Sequence, residues 1–386
     1  MPFIIYIFSL CAFSIGFTEF ITIGLSPSIA QDLDVSITVV SLSVTLYALG
    51  VMIGAPILTA VLQNISKKRN LFYAMAFFTL SNFIAGISFN IEILLIARFV
   101  SGLAHGVFFA IAANAATKLV SKEKSGSAIA LVFGGITIAM SLGVPIGAWL
   151  SGTLSWKRIF FAISFLGFIG AVGIFLFMPI EIEKQQKPTM SFNSMFNSKI
   201  LSAAMIPMMS YMASFILYTF ASPIVEKFIS LNKLSTSSIL ISYGIGAAIG
   251  TAWGGKLTDK KGADKTAFIL ILILALSLFS AFFTMKNLIL LSISIFMLGF
   301  STYGAIPPLQ SRIIKIAEKS LPQTVDIASG INIAAFNSGV VMGSFIGSII
   351  LNNLGFYFLP IAGGIIAILS ATVLKSQSSD KTAIKN

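Results

Sequence analysis

Residues 159–179 read IFFAISFLGFIGAVGIFLFMP, an apolar run that contains no charged side chain. A helix of about 20 such residues is long enough to cross the hydrocarbon core of a bilayer. Residues 71–89 and 267–285 form uncharged runs of the same kind. Transmembrane barrel strands would instead alternate polar and apolar residues over segments of about ten. These runs therefore predict membrane-spanning helices.

Composition extends this prediction to the whole chain. Of its 386 residues, 56% are hydrophobic and 10% are charged, against about 25% charged residues in soluble domains. A soluble fold of this length cannot hide so much apolar surface from water. We therefore predict an all-α integral membrane protein with twelve transmembrane helices, at residues 3–25, 38–61, 71–89, 93–116, 127–152, 158–179, 200–224, 236–256, 266–285, 288–312, 324–350 and 355–374.

The distribution of basic residues predicts the orientation of these spans. With the N-terminus inside, 19 of the 25 Lys and Arg residues fall on cytoplasmic segments and five on outer loops. This bias follows the positive-inside rule. It predicts a protein of the cell membrane (plasma or inner membrane) with both termini on the cytoplasmic side. The basic residues are dispersed over short loops, so they form no patch for nucleic acid.

The chain repeats itself with a nearly constant offset, which predicts two pseudo-symmetric bundles of six helices. Such internal repeats are typical of secondary transporters, whose substrate site lies between the repeats. The expected units are residues 1–180, a cytoplasmic linker at 181–199, residues 200–375 and a cytoplasmic tail at 376–386. The repeat is visible where Ser26-Pro27 recurs as Ser222-Pro223, Tyr47, Gly50 and Gly54 as Tyr243, Gly246 and Gly250, Phe99 and Gly102 as Phe296 and Gly299, and Gly143, Ile146 and Gly147 as Gly343, Ile346 and Gly347.

Short motifs accompany the spans in a fixed order. The loop after span 8 reads GKLTDKKG over residues 255–262, and the loop after span 2 has Gln63 at the position that matches Asp259. Gly143, Pro145 and Gly147 lie close together on span 5. The glycines would allow a second helix to approach, and the proline would bend span 5 itself. The full motif residues are Gln63, Lys67 and Lys68 after span 2, Leu94, Arg98, Ser101 and Gly102 on span 4, and Gly255, Asp259, Lys260 and Gly262 after span 8.

Together these motifs resemble those of the major facilitator superfamily, in its twelve-span drug:proton antiporter branch. Within that branch the chain is most similar to the arabinose or sugar efflux permeases, through Thr18-Glu19-Phe20, residues 47–50 with Ala55-Pro56, and residues 156–158. The resemblance implies a gate at the span 8 loop and ties the span 5 motif to antiport. The sequence departs from the family at Gln63, where the family has Asp, and at Ser101, where it has Gln.

Three ionisable residues inside spans are candidates for proton coupling. Glu19 is costly to ionise in a hydrocarbon environment, so it is suited to exchange protons. Arg98 is expected at a similar depth and would favour the ionised carboxylate, or form a purely structural ion pair with it. His105 lies on the same helix face as Arg98 and either relays protons or only hydrogen-bonds its neighbours.

Other chemistry is not indicated. One His, Cys11 as the single Cys, and no clustered carboxylates make a metal site and an internal disulfide unexpected. No phosphate-binding loop, serine-nucleophile motif or zinc-protease motif occurs. We therefore expect no enzyme activity and no cofactor, with a proton gradient as the energy source.

These observations predict a proton-coupled exporter of a small neutral or weakly charged solute, such as a sugar, nucleoside or drug. The alternatives are a nutrient importer on the same fold and a non-transporting membrane receptor or scaffold. The expected partners are a small-molecule substrate and the lipid bilayer, with the chain functional as a monomer. Candidate polar contacts in the cavity are Tyr211, Tyr218, Tyr303, Gln310, Asn332 and Asn337.

Overall fold

The computed structural model describes residues 1–150, 154–179, 197–229 and 233–383, and across these ranges the secondary structure is helical, with no strand. Most of the predicted linker at 181–199, and the last residues of the predicted tail, lie outside the described residues. Five of the α-helices begin where a polar side chain caps free backbone N–H groups. The capping side chains that accept such bonds are Ser36, Ser66, Asn90, Asn197 and Asn287.

The first half contains six membrane-crossing helical units. The second of them is interrupted by a π-helical turn at Gly54–Leu58, where Pro56 lacks the N–H that a regular helix needs. The helices are α1 (Phe3–Asp32), α2 (Ile37–Ile53) with its continuation α3 (Thr59–Val61), α4 (Lys67–Ile87), α5 (Ile91–Lys118), α6 (Ser125–Leu150) and α7 (Trp156–Phe177).

The second half repeats this arrangement. Its fourth unit breaks at Ala305, two residues before Pro307 and its neighbour Pro308. The helices are α8 (Ser198–Tyr218) with the short α9 (Ala221–Phe228), α10 (Lys233–Lys261), α11 (Ala263–Thr284), α12 (Leu288–Gly304) with α13 (Ile306–Ser320), α14 (Val325–Asn353) and α15 (Phe358–Ala383).

The helices match the predicted fold class. Within the described residues, ten helical segments are long and apolar enough to cross a membrane, and residues 3–19 form a shorter apolar stretch. With α10, these segments make the twelve spans that the sequence predicts, in two sets of six. The all-α membrane fold is therefore confirmed.

Two equivalent helix crossings show the internal repeat in three dimensions. α2 crosses α5 where a Cβ on Gly102 would meet the carbonyl group of Tyr47, and α10 crosses α12 where a Cβ on Gly299 would meet that of Tyr243. Both crossings require glycine because the two backbones are in direct contact. The repeated Tyr–Gly pattern in the sequence therefore encodes the same packing in each half.

The halves meet along two helix pairs. α6 packs against α10, and α14 packs against α5 and the π-helical turn after α2. At the second contact a Cβ on Gly330 would meet the carbonyl group of Ala55. These contacts enclose the candidate site between the halves.

Candidate functional site

A cavity of about 260 Å³ lies between the two halves. Six of the predicted site residues line it: Glu19, His105, Tyr211, Tyr218, Tyr303 and Asn337. The rest of the wall is aromatic or aliphatic, and includes Phe109, Phe133, Met140, Phe215 and Phe336. The site therefore combines one carboxylate with a mostly apolar surface.

Glu19 reaches this cavity from α1 with its side chain 25% exposed. Its Oε2 lies 3.8 Å from Nδ1 of His105 and has no hydrogen-bond partner among the described residues. The His105 Nδ1 is instead 2.9 Å from the hydroxyl of Tyr47, which donates to the carbonyl oxygen of Ile15. This oxygen is buried and lacks a donor, so protonation would remove an unpartnered charge from an apolar environment.

Arg98 is buried beside the cavity but does not form the predicted ion pair with Glu19 in the part of the chain that the structure describes. Its Nη1 donates to the carbonyl oxygen and to Oγ1 of Thr18, at 3.1 and 2.9 Å. The guanidinium lies 4.3 Å from the ring centroid of Tyr47. Thr18 precedes Glu19 on α1, and its two oxygens accept from Nη1 alone, whereas Nε and Nη2 of Arg98 have no hydrogen-bond partner among the described residues. Arg98 therefore joins α1 to α5 through neutral acceptors.

A chain of neutral polar groups continues from this contact. Oγ1 of Thr18 donates to Oδ1 of Asn82, 2.7 Å away, and Nδ2 of Asn82 donates to Oγ of Ser101 at 3.2 Å. The Ser101 position, where the family motif has Gln, is thus used in packing α4 against α5. Asn82 is not among the site residues predicted from sequence, because an isolated polar residue within a span carries no spacing signal.

The opposite wall is a tyrosine cluster. Tyr218 stacks on Tyr243 with ring centroids 3.7 Å apart, and the rings of Tyr211 and Tyr303 are 5.8 Å apart. Tyr211 also packs on Phe336, 4.7 Å away. Aromatic rings offer a rigid apolar face whose hydroxyl groups can hydrogen-bond a ligand.

Gln310 and Asn332 do not line this cavity, contrary to the prediction that grouped them with its polar contacts. They are 0% and 1% exposed. Nδ2 of Asn332 donates to Oε1 of Gln310 at 2.6 Å, and Nε2 of Gln310 donates to Oγ of Ser329. Buried amides require such partners, so the pair fastens α13 to α14.

Asp259 connects the two halves at the end of the bundle that carries both termini. Its Oδ1 accepts from the backbone N–H of Gly126 at 2.6 Å, and its Oδ2 accepts from the N–H of Ser127 at 2.9 Å and from the Ser127 hydroxyl. These N–H groups belong to the first turn of α6, where a helix favours a negative charge. The position suits the predicted gate.

The rest of the span 8 motif supports this contact. A Cβ on Gly255 would meet Gly126 and Ala130, so only glycine allows α10 to approach α6 so closely. Gly262 has a φ of 82°, which favours glycine, and it ends the turn before α11. Lys260 is exposed at the surface.

The matching loop of the first half uses a different contact. Oε1 of Gln63 has no partner among the described residues. Lys67 instead contacts Oδ2 of Asp326 at 3.4 Å, and Nδ2 of Asn114 donates to Oδ1 of the same carboxylate at 2.6 Å. Asp326 lies in the first turn of α14, so it links the second half to two helices of the first.

A third contact between the halves lies at the same end. Nζ of Lys118 is 3.0 Å from Oε1 of Glu318. Asn114, Asp326 and Glu318 are not among the gate residues predicted from sequence, although an acidic residue at the start of a predicted span is a usable signal for Asp326. This end of the cavity is closed by polar contacts.

Two remaining motifs lie on α4 and α6. Lys68 does not cross to the second half, and its Nζ lies 5.7 Å from the ring centroid of Phe175 on α7. Gly143 is buried on α6, and the helix includes Pro145 and Gly147, whose surroundings lie outside the described side chains. No role of these residues in coupling follows from their positions.

Asp32 fastens the end of the first half that lies opposite the termini. Its Oδ2 lies 2.8 Å from Nζ of Lys157 and accepts from Nε1 of Trp156 at 3.1 Å. The hydrogen bond from Lys157 holds the pKa of the Asp32 carboxyl below its usual value. This contact joins α1 to α7 within the first half and leaves the interface between the halves untouched.

The comparisons with known proteins agree with this architecture. The profile described as Major Facilitator Superfamily matches residues 8–210 and 203–383. The "Inner membrane transport protein YdhP" of Escherichia coli (strain K12) is 33% identical, with 92% of this chain and 91% of the relative covered.

A more distant relative and a solved structure extend the comparison. The "Probable sugar efflux transporter" of Helicobacter pylori (strain ATCC 700392 / 26695) is 26% identical, with 95% of this chain and 93% of the relative covered. The crystal structure of the transporter FucP "in the outward conformation" is 15% identical with a TM-score of 0.77, and covers 96% of this chain and 97% of that one.

Proposed function

We propose that this chain, which belongs to the major facilitator superfamily, exports a small neutral or weakly charged solute by proton antiport. Family membership makes it a multi-pass membrane transporter of a small-molecule substrate, and not an enzyme. What we propose beyond family membership is that transport is outward and that protons drive it. It rests chiefly on one observation, the Glu19 carboxylate on the cavity surface with an unpartnered oxygen.

The wall of the cavity supports the proposed substrate class. A surface of aromatic rings with hydroxyl groups suits a solute that has both apolar faces and hydrogen-bonding groups, such as a sugar, a nucleoside or a drug. A strongly anionic solute would face Glu19 without a cation to offset the repulsion, since no Lys or Arg is among the described residues that line the cavity. The likeness to a probable sugar efflux transporter favours a sugar within this class.

The closed end supports alternating access. Asp259, Asp326 and Glu318 join the halves only at the end that carries the termini, among the described polar contacts. Breaking these contacts would let the halves, proposed as residues 1–180 and 200–375, rock about the cavity. Protonation of Glu19 and binding of substrate would favour different orientations, which links the two events.

Transport in everted membrane vesicles tests the proposal. An acidic lumen should drive accumulation of the substrate, and an uncoupler should release it, across a screen of sugars, nucleosides and cationic drugs. Vesicles without the protein are the control. Accumulation that needs no pH gradient, or uptake only in right-side-out vesicles, would contradict proton-driven export.

We expect both termini and the linker at 181–199 to be cytoplasmic, because 19 basic residues lie on that side. Phosphatase and fluorescent-protein fusions at Lys187 and Lys385 measure this directly. The phosphatase fusions should be inactive and the fluorescent fusions bright. The reverse pattern at either position would contradict this topology. Asp259 would then close the cavity on the opposite side of the membrane.

A further inference from the structure

The outer surface of the first half carries a groove of about 490 Å³ between α4 and α7. It shares no lining residue with the central cavity. Small side chains form its floor, at Ala76, Thr79, Ser164 and Ala171, and exposed aromatic rings form its walls, at Phe83, Phe168 and Phe175. A groove of this shape is open to the lipid and not to the substrate path.

The floor of the groove is chemically apolar despite its two hydroxyl groups. Oγ1 of Thr79 donates to the carbonyl oxygen of Met75 at 2.8 Å, and Oγ of Ser164 donates to the carbonyl oxygen of Thr79 at 2.8 Å. Both hydroxyl protons are therefore used inside the protein, as is required where no water is available. The surface left to a ligand suits a hydrocarbon chain.

The length of the groove matches one leaflet of a bilayer. Along α4 it extends from Phe72 to Phe83, which is about 16 Å at the helical rise. The hydrocarbon core is about 30 Å thick, so the groove takes a chain that enters from one membrane surface. Phe72 is the end nearest the side that carries the termini.

A cation lies at that end of the groove. Lys68 precedes Phe72 by four residues and Ala76 by eight, so it occupies the same face of α4. Its Nζ is 5.7 Å from the ring centroid of Phe175, which lines the groove. The ammonium group is thus at the depth where a lipid phosphate would lie, and basic groups at this surface attract anionic lipids.

We propose that this groove binds an anionic phospholipid, with one acyl chain against Ala76 and Thr79 and the phosphate beside Lys68. The apolar groove provides contact with the chain, and the ammonium provides the preference for a negative headgroup. A zwitterionic lipid would gain the first contact but little of the second. The proposal is independent of the transported substrate and of its direction.

Native mass spectrometry of the purified full chain tests the groove. Protein is titrated with dioleoyl phosphatidylglycerol and, separately, with dioleoyl phosphatidylcholine. We expect wild-type protein to retain phosphatidylglycerol at least fivefold more strongly. Ala76→Phe fills the floor and should remove the tightly bound lipid. Ala162→Phe, at an exposed position of α7 outside the groove, should keep it, and Ala76→Leu provides a milder filling if the larger change impairs folding.

Matched charge variants test the headgroup contact. Lys68→Gln should abolish the preference for phosphatidylglycerol. Arg69→Gln removes the same charge from an adjacent face, where the guanidinium contacts Ser66 at 3.3 Å, and should preserve the preference. Equal binding of the two lipids by wild-type protein, or unchanged binding by both Ala76 variants, would overturn the proposal. A dimer that Ala76→Phe dissociates would assign the groove to a second copy and also overturn it.

Discussion

Protein with Glu19→Gln is expected to bind substrate and exchange it passively, but to lose all accumulation driven by a pH gradient. Glutamine keeps the size of the side chain and its hydrogen bonding while it removes titration. The structure places the carboxylate on the cavity with an unpartnered Oε2, so its replacement should not disturb the packing around it. Uphill uptake in everted vesicles and equilibrium exchange of labelled substrate measure the two activities separately.

Proton release gives a second readout of the same residue. Addition of substrate to wild-type protein in weakly buffered detergent should release protons, and the Glu19→Gln protein should release none. His105→Asn is the matched control, because His105 lies 3.8 Å from Glu19 and is the other candidate for carrying the proton. Full pH-driven accumulation by Glu19→Gln would remove Glu19 from the coupling step and assign it to His105.

Substitution of Asp259 with Asn is expected to open the closed end of the cavity and slow transport while substrate binding is largely kept. The carboxylate accepts three hydrogen bonds from Gly126 and Ser127 of the other half. The amide of Asn has one oxygen and one NH₂ group, so the NH₂ group would face either Gly126 or Ser127 and could not accept a hydrogen bond there. The amide also lacks the negative charge that the first turn of α6 favours. Loss of one charge-assisted bond, about 1.5–3 kcal/mol, corresponds to a population shift of about tenfold or more.

Cysteine labelling measures this shift. Ile333→Cys places a thiol on the wall of the cavity, in a background where Cys11 is replaced by Ser. An impermeant maleimide applied from the side of the termini should label it at least several-fold faster in Asp259→Asn. Asp264→Asn is the control, because its carboxylate contacts Arg312 at 2.7 Å within the second half. Equal labelling of the two variants would refute the gate.

The polar site was only partly predictable from sequence. The sequence predicts Glu19 and His105 as proton-coupling residues and polar cavity contacts at Tyr211, Tyr218, Tyr303 and Asn337, and the structure places all six on one cavity. The criterion of polarity within a span also predicts Gln310 and Asn332, which instead hydrogen-bond to each other. Polarity at depth in a span shows that a side chain needs a partner, but it does not distinguish a ligand from a neighbouring amide.

The sequence by itself determined the twelve spans, their arrangement in two halves and the place of Glu19 within the first span. Each span must satisfy its own backbone and face hydrocarbon, so these properties are encoded locally in runs of residues. Only the tertiary structure decided that Arg98 hydrogen-bonds to Thr18 and forms no ion pair with Glu19. It also decided that Asp326 pairs with Lys67 and accepts a hydrogen bond from Asn114. Those pairings depend on how helices far apart in the chain are rotated and how closely they approach, which no local pattern of residues specifies.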